Sequence, residues 1–182
     1  MKDSLSTFFC ILLTIVLVAG AVCIGAVRDW HGEQVATLEA ISVGSDLSEP
    51  LHNRGMDAAN LAVVASRHLA VKDPDVVMLQ QSYFKICKTN SSAIERAQAD
   101  AQISIAAASL AQRLPQLASV QASQRDQAYI TALTRSLSQP TSFAEDYTAA
   151  LEDYNARLNS SLTGKLAMLL GVEPIPVTTG GN

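Results

Sequence analysis

Apolar residues are distributed along the chain in two different ways, and the change between them comes near residue 28. Residues 8–27 form an unbroken apolar run with no charge. As a helix, twenty residues at about 1.5 Å each reach roughly 30 Å, the hydrocarbon thickness of a bilayer. Phe8, Leu12, Ile15, Val18, Val22 and Ile24 are then its lipid-facing positions. Beyond the run the apolar residues thin out into stripes with a period of three to four, the mark of helices that bury one face.

Four such stripes are legible. The first covers residues 47–72 through Leu47, Leu51, Ala58, Leu61, Ala65 and Leu69, and the Asp73-Pro74 step ends it. Asp73 can cap the next helix, with Pro74 in its first turn. That helix keeps its register through Val76, Leu79, Tyr83, Ile86, Asn90, Ala93 and Ala97, which predicts one long helix over 75–113. The rival reading is a break, with Ser92 and Glu95 forming a capping box. A third helix is expected over 117–138, carried by Ile130, Leu133 and Leu137 and stopped by Pro140. The fourth has the clearest pattern: Phe143, Tyr147, Leu151, Tyr154, Leu158, Leu162, Leu166 and Leu169, opened by a Ser142/Glu145 capping box and closed by Gly171. Residues 33–43 read as a helical stalk that Gly44 and Ser45 end, and 173–182 as a flexible tail, extended or disordered, with two prolines. The expected architecture is all-α: a membrane anchor over 1–31, a stalk over 32–46, and an elongated antiparallel bundle of about four helices over 47–172, followed by the tail. Its core is expected to include Leu61, Leu69, Tyr83, Phe143, Tyr147, Leu151, Tyr154, Asn155 and Leu158.

Composition narrows the function. Of 182 residues 48% are apolar, but alanine carries much of that outside the first run and aromatics make up 5%, a balance that suits closely packed helices. The net charge is -4 with no basic cluster, which argues against nucleic acid as a partner. Cys10 and Cys23 lie in the apolar run, so Cys87 has no disulfide partner in the remainder. The apolar run is longer than a secretory signal core, and an uncleaved signal anchor is expected, although Ala19-Gly20-Ala21 offers a cleavage site. Val22 before Cys23 argues against lipidation. Lys2 and Arg28 nearly balance across the run, so a short inside N-terminus with the domain outside is only a weakly encoded choice. Trp30 and His31 suit the headgroup level.

His31, His52 and His68 stand in no metal-binding spacing, and there is no nucleophile elbow, phosphate-cradling glycine loop or Cys-x-x-Cys. Each histidine is expected at the surface or a rim. Glu145, Asp146, Glu152 and Asp153 are expected to face solvent or favour a helix N-terminus. These readings give no enzyme, no cofactor and no implied small molecule. The partners expected are the lipid bilayer and either another protein or a second copy of the chain. The alternative is an extracytoplasmic module that binds a small ligand between helices.

Leu51-His52-Asn53-Arg54 with Asp57-Ala58-Ala59-Asn60-Leu61, and later Tyr154-Asn155 with Leu166-Ala167-Met168-Leu169-Leu170-Gly171, carry a resemblance. In these stretches the chain resembles the LemA family of bacterial membrane-anchored proteins. The resemblance implies one N-terminal transmembrane helix and a helical bundle. It implies Tyr147, Tyr154 and Asn155 as packing and hydrogen-bonding positions and brings no settled activity. Thr148 follows Tyr147 where the family has Asn, and 159–163 replace a Phe-Pro step.

Overall fold

The computed structural model describes residues 2–44, 47–88, 90–138 and 145–175. Among them the regular structure is all helical, with no strand: α1 (Lys2–Gly44), α2 (Ser48–Ala65), α3 (Pro74–Cys87), α4 (Ala93–Arg113), α5 (Ala118–Gln121), α6 (Gln124–Ser138), α7 (Glu145–Ser160) and α8 (Leu162–Leu169). A 3₁₀ turn, Leu114–Gln116, links α4 to α5. The apolar run and the stalk are thus one continuous helix. The chain packs as two units, one of Met1–Thr37 with Asp153–Pro174, the other of Leu38–Glu152 with Ile175–Asn182.

In the larger unit α2 packs on α3, α3 on α4, α4 on α6 and α6 back on α2, so four helices close a ring. Side-chain ties fix their directions. Arg113 at the end of α4 reaches Asp73 and Asp75 at the start of α3. His52 near the start of α2 meets Cys87 at the end of α3. Arg54 early in α2 reaches the Leu137 carbonyl at the end of α6, while His68, just past α2, meets Asp126 at the start of α6. Ring neighbours therefore run antiparallel. The interior holds Leu61, Leu79, Ile103, Leu110, Ile130 and Leu137 with alanines between them, so the helix axes can approach closely.

Several sequence expectations are corrected. The helix predicted over 75–113 is two helices. The polar stretch between them hands over to a capping box: Ser92 Oγ accepts from the Glu95 amide at 3.2 Å, and Glu95 Oε2 accepts from the Ser92 amide at 2.8 Å. Two otherwise orphaned donors are satisfied and the chain can reverse, which a register surviving across polar residues does not reveal. The first stripe stops at Ala65, so Leu69 lies in the following turn and is half-buried, not a core residue. The 117–138 segment breaks after α5, where Ser123 Oγ accepts from the Asp126 amide at 3.3 Å. Tyr83, expected in the core, is half-buried beside the exposed Phe84, their ring centroids 5.3 Å apart.

The fourth stripe breaks at Ser161, whose Oγ caps α8 by accepting from the Gly164 amide at 2.9 Å. Tyr147, Leu151, Tyr154 and Leu158 are buried and Asn155 is half-buried. Leu162 and Leu169 point outward at 77% and 83% exposure. The inward positions of α8 are Gly164 and Ala167. A Cβ on Gly164 would sit 2.5 Å from the carbonyl oxygens of Arg157 and Leu158, closer than atoms pack. Gly164→Val is therefore expected to force the α7–α8 corner open at about 1–3 kcal/mol, read as a lowered denaturation midpoint and new protease cleavage near residue 161. Phe143 and the Ser142/Glu145 capping box fall on residues 139–144 or on the undescribed Glu145 side chain, outside the described residues, as do 176–182 of the tail.

Candidate functional site

The smaller unit contains the apolar stretch of α1. Phe9 and every residue from 11 to 26 are exposed, including Leu12, Ile15, Val18, Val22 and Ile24; the Phe8 side chain lies outside the described set. This is the one helix among the described residues long and apolar enough to cross a membrane. Val27 ends the exposed stretch at 6% exposure. One turn on, the Trp30 ring stacks on Tyr154, centroids 6.0 Å apart and planes 21° apart. Burial raises the Tyr154 phenol, and its hydroxyl and His31 Nδ1 are buried with no hydrogen-bond partner in the structure. In apolar surroundings each such atom carries a desolvation cost of about 1–3 kcal/mol.

The larger unit has a cleft of ≈ 760 Å³ where the end of α1, the start of α2 and the end of α3 meet. The residues that define its chemistry are Glu39, Glu49, His52, Cys87, Lys88 and Arg96. Arg96 is committed: it donates to Glu39 Oε1 at 2.7 Å and to the Ser91 carbonyl at 3.0 Å, while Glu39 Oε2 accepts from the Ala93 amide at 2.8 Å. Cys87 Sγ lies 3.6 Å from His52 Nδ1. Burial pushes the Cys87 thiol up, so at neutral pH it is a thiol and not a thiolate nucleophile. The cleft offers a donor-rich, mixed-charge lining and suits binding better than covalent chemistry. Among the described residues no group of three His, Cys, Asp or Glu side chains is placed to hold a metal ion.

Three polar clusters elsewhere in this unit join helices. The Arg54 guanidinium is buried; it pairs with Asp100 and donates to Ser104 Oγ at 2.6 Å, the Leu137 carbonyl at 2.8 Å and the Ser136 carbonyl at 3.4 Å. One side chain from α2 thereby ties α4 to α6. His68, expected at the surface or a rim, is a half-buried residue whose side chain is 7% exposed, held by Ser119 Oγ at 3.1 Å on Nδ1 and Asp126 Oδ2 at 3.0 Å on Nε2. The serine–histidine–aspartate order has the outline of a proton relay. Asp126, however, also accepts from Arg67 at 3.0 Å, which spreads its charge over two partners, and the chain works as a brace from α2 to α5 and α6. The hydrogen bond from His68, with Arg67 adding, holds Asp126 below the usual carboxylate range.

Arg113 closes the opposite end of α4. It contacts Asp73 Oδ2 and Asp75 Oδ2, each at 2.5 Å, and Ser109 Oγ donates to Asp75 at 2.6 Å. The Arg113 hydrogen bond holds the Asp73 carboxyl below its ordinary range. A depressed carboxyl contributes stability that is full above about pH 4 and is lost as pH falls through its lower folded value. Asp73→Asn keeps the cap on Asp75, since asparagine caps as well as aspartate. It is expected to shrink the loss of thermal stability between pH 7 and pH 3, measured by circular dichroism in parallel with the parent chain.

None of these clusters was legible in the sequence. Arg54 lay inside the resembling stretch with nothing in its spacing to mark it as buried, and His52 with Cys87 are 35 positions apart. No family model, curated protein or solved structure matches the chain.

Proposed function

We propose that this chain is a single-pass membrane protein that displays a helical bundle of LemA type at the cell envelope, as an interaction module and not as a catalyst. The observation that carries the reading is the α1 surface: ten large apolar side chains from Phe9 to Ile24 stand more than 45% exposed on one uninterrupted helix. An apolar surface of that extent is sustained by lipid and not by water. Trp30 stacked on Tyr154 just past the run supports the reading, since aromatic rings favour the headgroup boundary. The buried Arg54, Asp100 and Asp126 of the larger unit are spent on joining helices, which favours a rigid display surface. The N-terminus is proposed inside and the bundle outside, to bind a protein partner or a second copy.

Val18→Arg tests the anchor. Arginine near the centre of a span costs about 2.5–3.5 kcal/mol, so the variant is expected to shift into the alkaline-carbonate supernatant while the parent pellets with membranes. Side is tested by Asn182→Cys in a Cys87→Ser background: labelling of whole cells by an impermeant maleimide places the bundle outside, and labelling only after lysis reverses the orientation. A strictly monomeric chain with no co-purifying partner in mild detergent would count against the interaction role. The cleft with His52, Cys87 and Lys88 favours a second reading, a small-ligand module, which predicts stabilisation by an envelope metabolite that Lys88→Ala abolishes.

A further inference from the structure

The short helix α8 is built inside out. Its inward positions are occupied by the smallest side chains, Gly164 and Ala167; both are buried, Gly164 against the end of α7. Its outward positions carry Leu162 at 77% and Leu169 at 83% exposure, followed at the C-cap by Leu170 at 58%. At 100° per residue Leu162, Leu166 and Leu169 share one face, and Lys165 stands at the edge of their arc, about 40° from Leu169. A helix that faces water does the reverse, turning leucine inward and small or polar residues outward. A leucine face flanked by a cationic residue is the pattern of a helix lying in a lipid interface, where apolar side chains enter the acyl boundary and the lysine stem reaches up to the headgroups.

The position of α8 agrees. It belongs to the same compact unit as residues up to Thr37 of α1. Tyr154 lies against Trp30, immediately past the apolar run, and Leu162 follows Tyr154 by eight positions, no more than about 12 Å of helix. Leu162, where α8 begins, therefore lies no more than a little over two helical turns from the level at which α1 leaves the hydrocarbon, whichever side that is.

We propose that α8 lies flat in the headgroup layer of the membrane that α1 crosses, with Leu162, Leu169 and Leu170 in the acyl boundary and Lys165 among the phosphates. The proposal rests on α1 being a membrane span. It gives the C-terminal end of α7 a second attachment to lipid, and it makes the outward leucines of α8 part of an interface.

The test uses the full chain carrying Cys10→Ser, Cys23→Ser and Cys87→Ser, reconstituted in phosphatidylcholine vesicles containing phosphatidylglycerol. A single Leu169→Cys is labelled with an environment-sensitive fluorophore; Leu162→Cys is a second reporter and Glu152→Cys, on the exposed face of α7, the control. All three positions are exposed, so the labels displace no core. The expected result is a blue-shifted emission at 169 and 162 that loses most of its intensity when the lipid carries a quencher at the top of its acyl chains, with the label at 152 unchanged. Lys165→Glu is expected to weaken the quenching in anionic vesicles. Chains that float with the vesicles while 169 and 162 report water overturn the proposal and leave the anchor standing. So does disulfide cross-linking of two copies through unlabelled Leu169→Cys without lipid quenching, which would put a second chain there. Failure of the parent chain to float overturns the anchor reading and this proposal with it.

Discussion

Replacing Arg54 with methionine is expected to cost about 3–5 kcal/mol, a large part of the 5–15 kcal/mol typical of a whole domain. The guanidinium is 8% exposed and Asp100 5%. Removing the cation leaves the aspartate charge where water does not reach, and it also takes donors from Ser104 and from the Leu137 and Ser136 carbonyls at the end of α6. Methionine fills much of the same volume, so the loss measures charge and hydrogen bonding more than a cavity. The discriminating variant is Arg54→Met with Asp100→Leu. Removing both charges removes the uncompensated one, and replacing a buried ion pair by apolar side chains is often neutral or stabilising. The double variant is therefore expected to recover most of what the single one loses. Denaturant unfolding of the full chain in mild detergent, followed by circular dichroism, gives both numbers. A loss below about 1 kcal/mol in the single variant, the range of exposed pairs, would show that the pair is solvated.

Tyr147→Ala is the second large effect, expected at about 3–5 kcal/mol, the range for emptying a buried aromatic site. Tyr147 is among the largest fully buried side chains, and its hydroxyl donates to the Ala93 carbonyl, the first residue of α4, at 3.4 Å. That bond is long, so Tyr147→Phe is expected to cost only about 0.5–1.5 kcal/mol, toward the lower end. The pair of variants separates packing from hydrogen bonding. A pH titration supplies an independent readout. Burial pushes the phenol up to about 12, with Asp100 and Glu39 reinforcing and Arg96 opposing. For a raised phenol the neutral form is favoured by folding. Its contribution is full below about pH 10, the unfolded value, and is lost as pH rises toward 12. Ultraviolet difference spectra should show a late-titrating tyrosine that Tyr147→Phe removes.

The break between α3 and α4 and the break between α7 and α8 show the same physics. In both places the apolar spacing continues across a serine, and in both that serine caps a new helix through its own Oγ. Periodicity reports which residues are apolar; it does not report whether the backbone between them stays helical. A serine that can accept from the amide three residues on offers the chain a way to stop, and tertiary packing decides whether it does. At Ser92 the decision allows α3 and α4 to lie antiparallel. At Ser161 it turns Leu162 and Leu169 away from the core they were expected to join.

What the sequence by itself determined is what depends on near neighbours: the apolar run of α1 and its continuation to Gly44, the all-α class, the Asp73 cap with Pro74 behind it, and the burial of Leu61, Tyr147, Leu151, Tyr154 and Leu158. These follow from helix period, capping chemistry and the transfer of apolar surface, all of which act within a few residues. The tertiary structure alone decided which helices form the ring, that Arg54 joins three of them, that His52 faces Cys87 and His68 faces Asp126, and which way α8 turns its leucines. Those contacts link positions 35 to 83 residues apart. Their partners are chosen by which faces remain to be buried once the helices exist, and no local pattern records that choice.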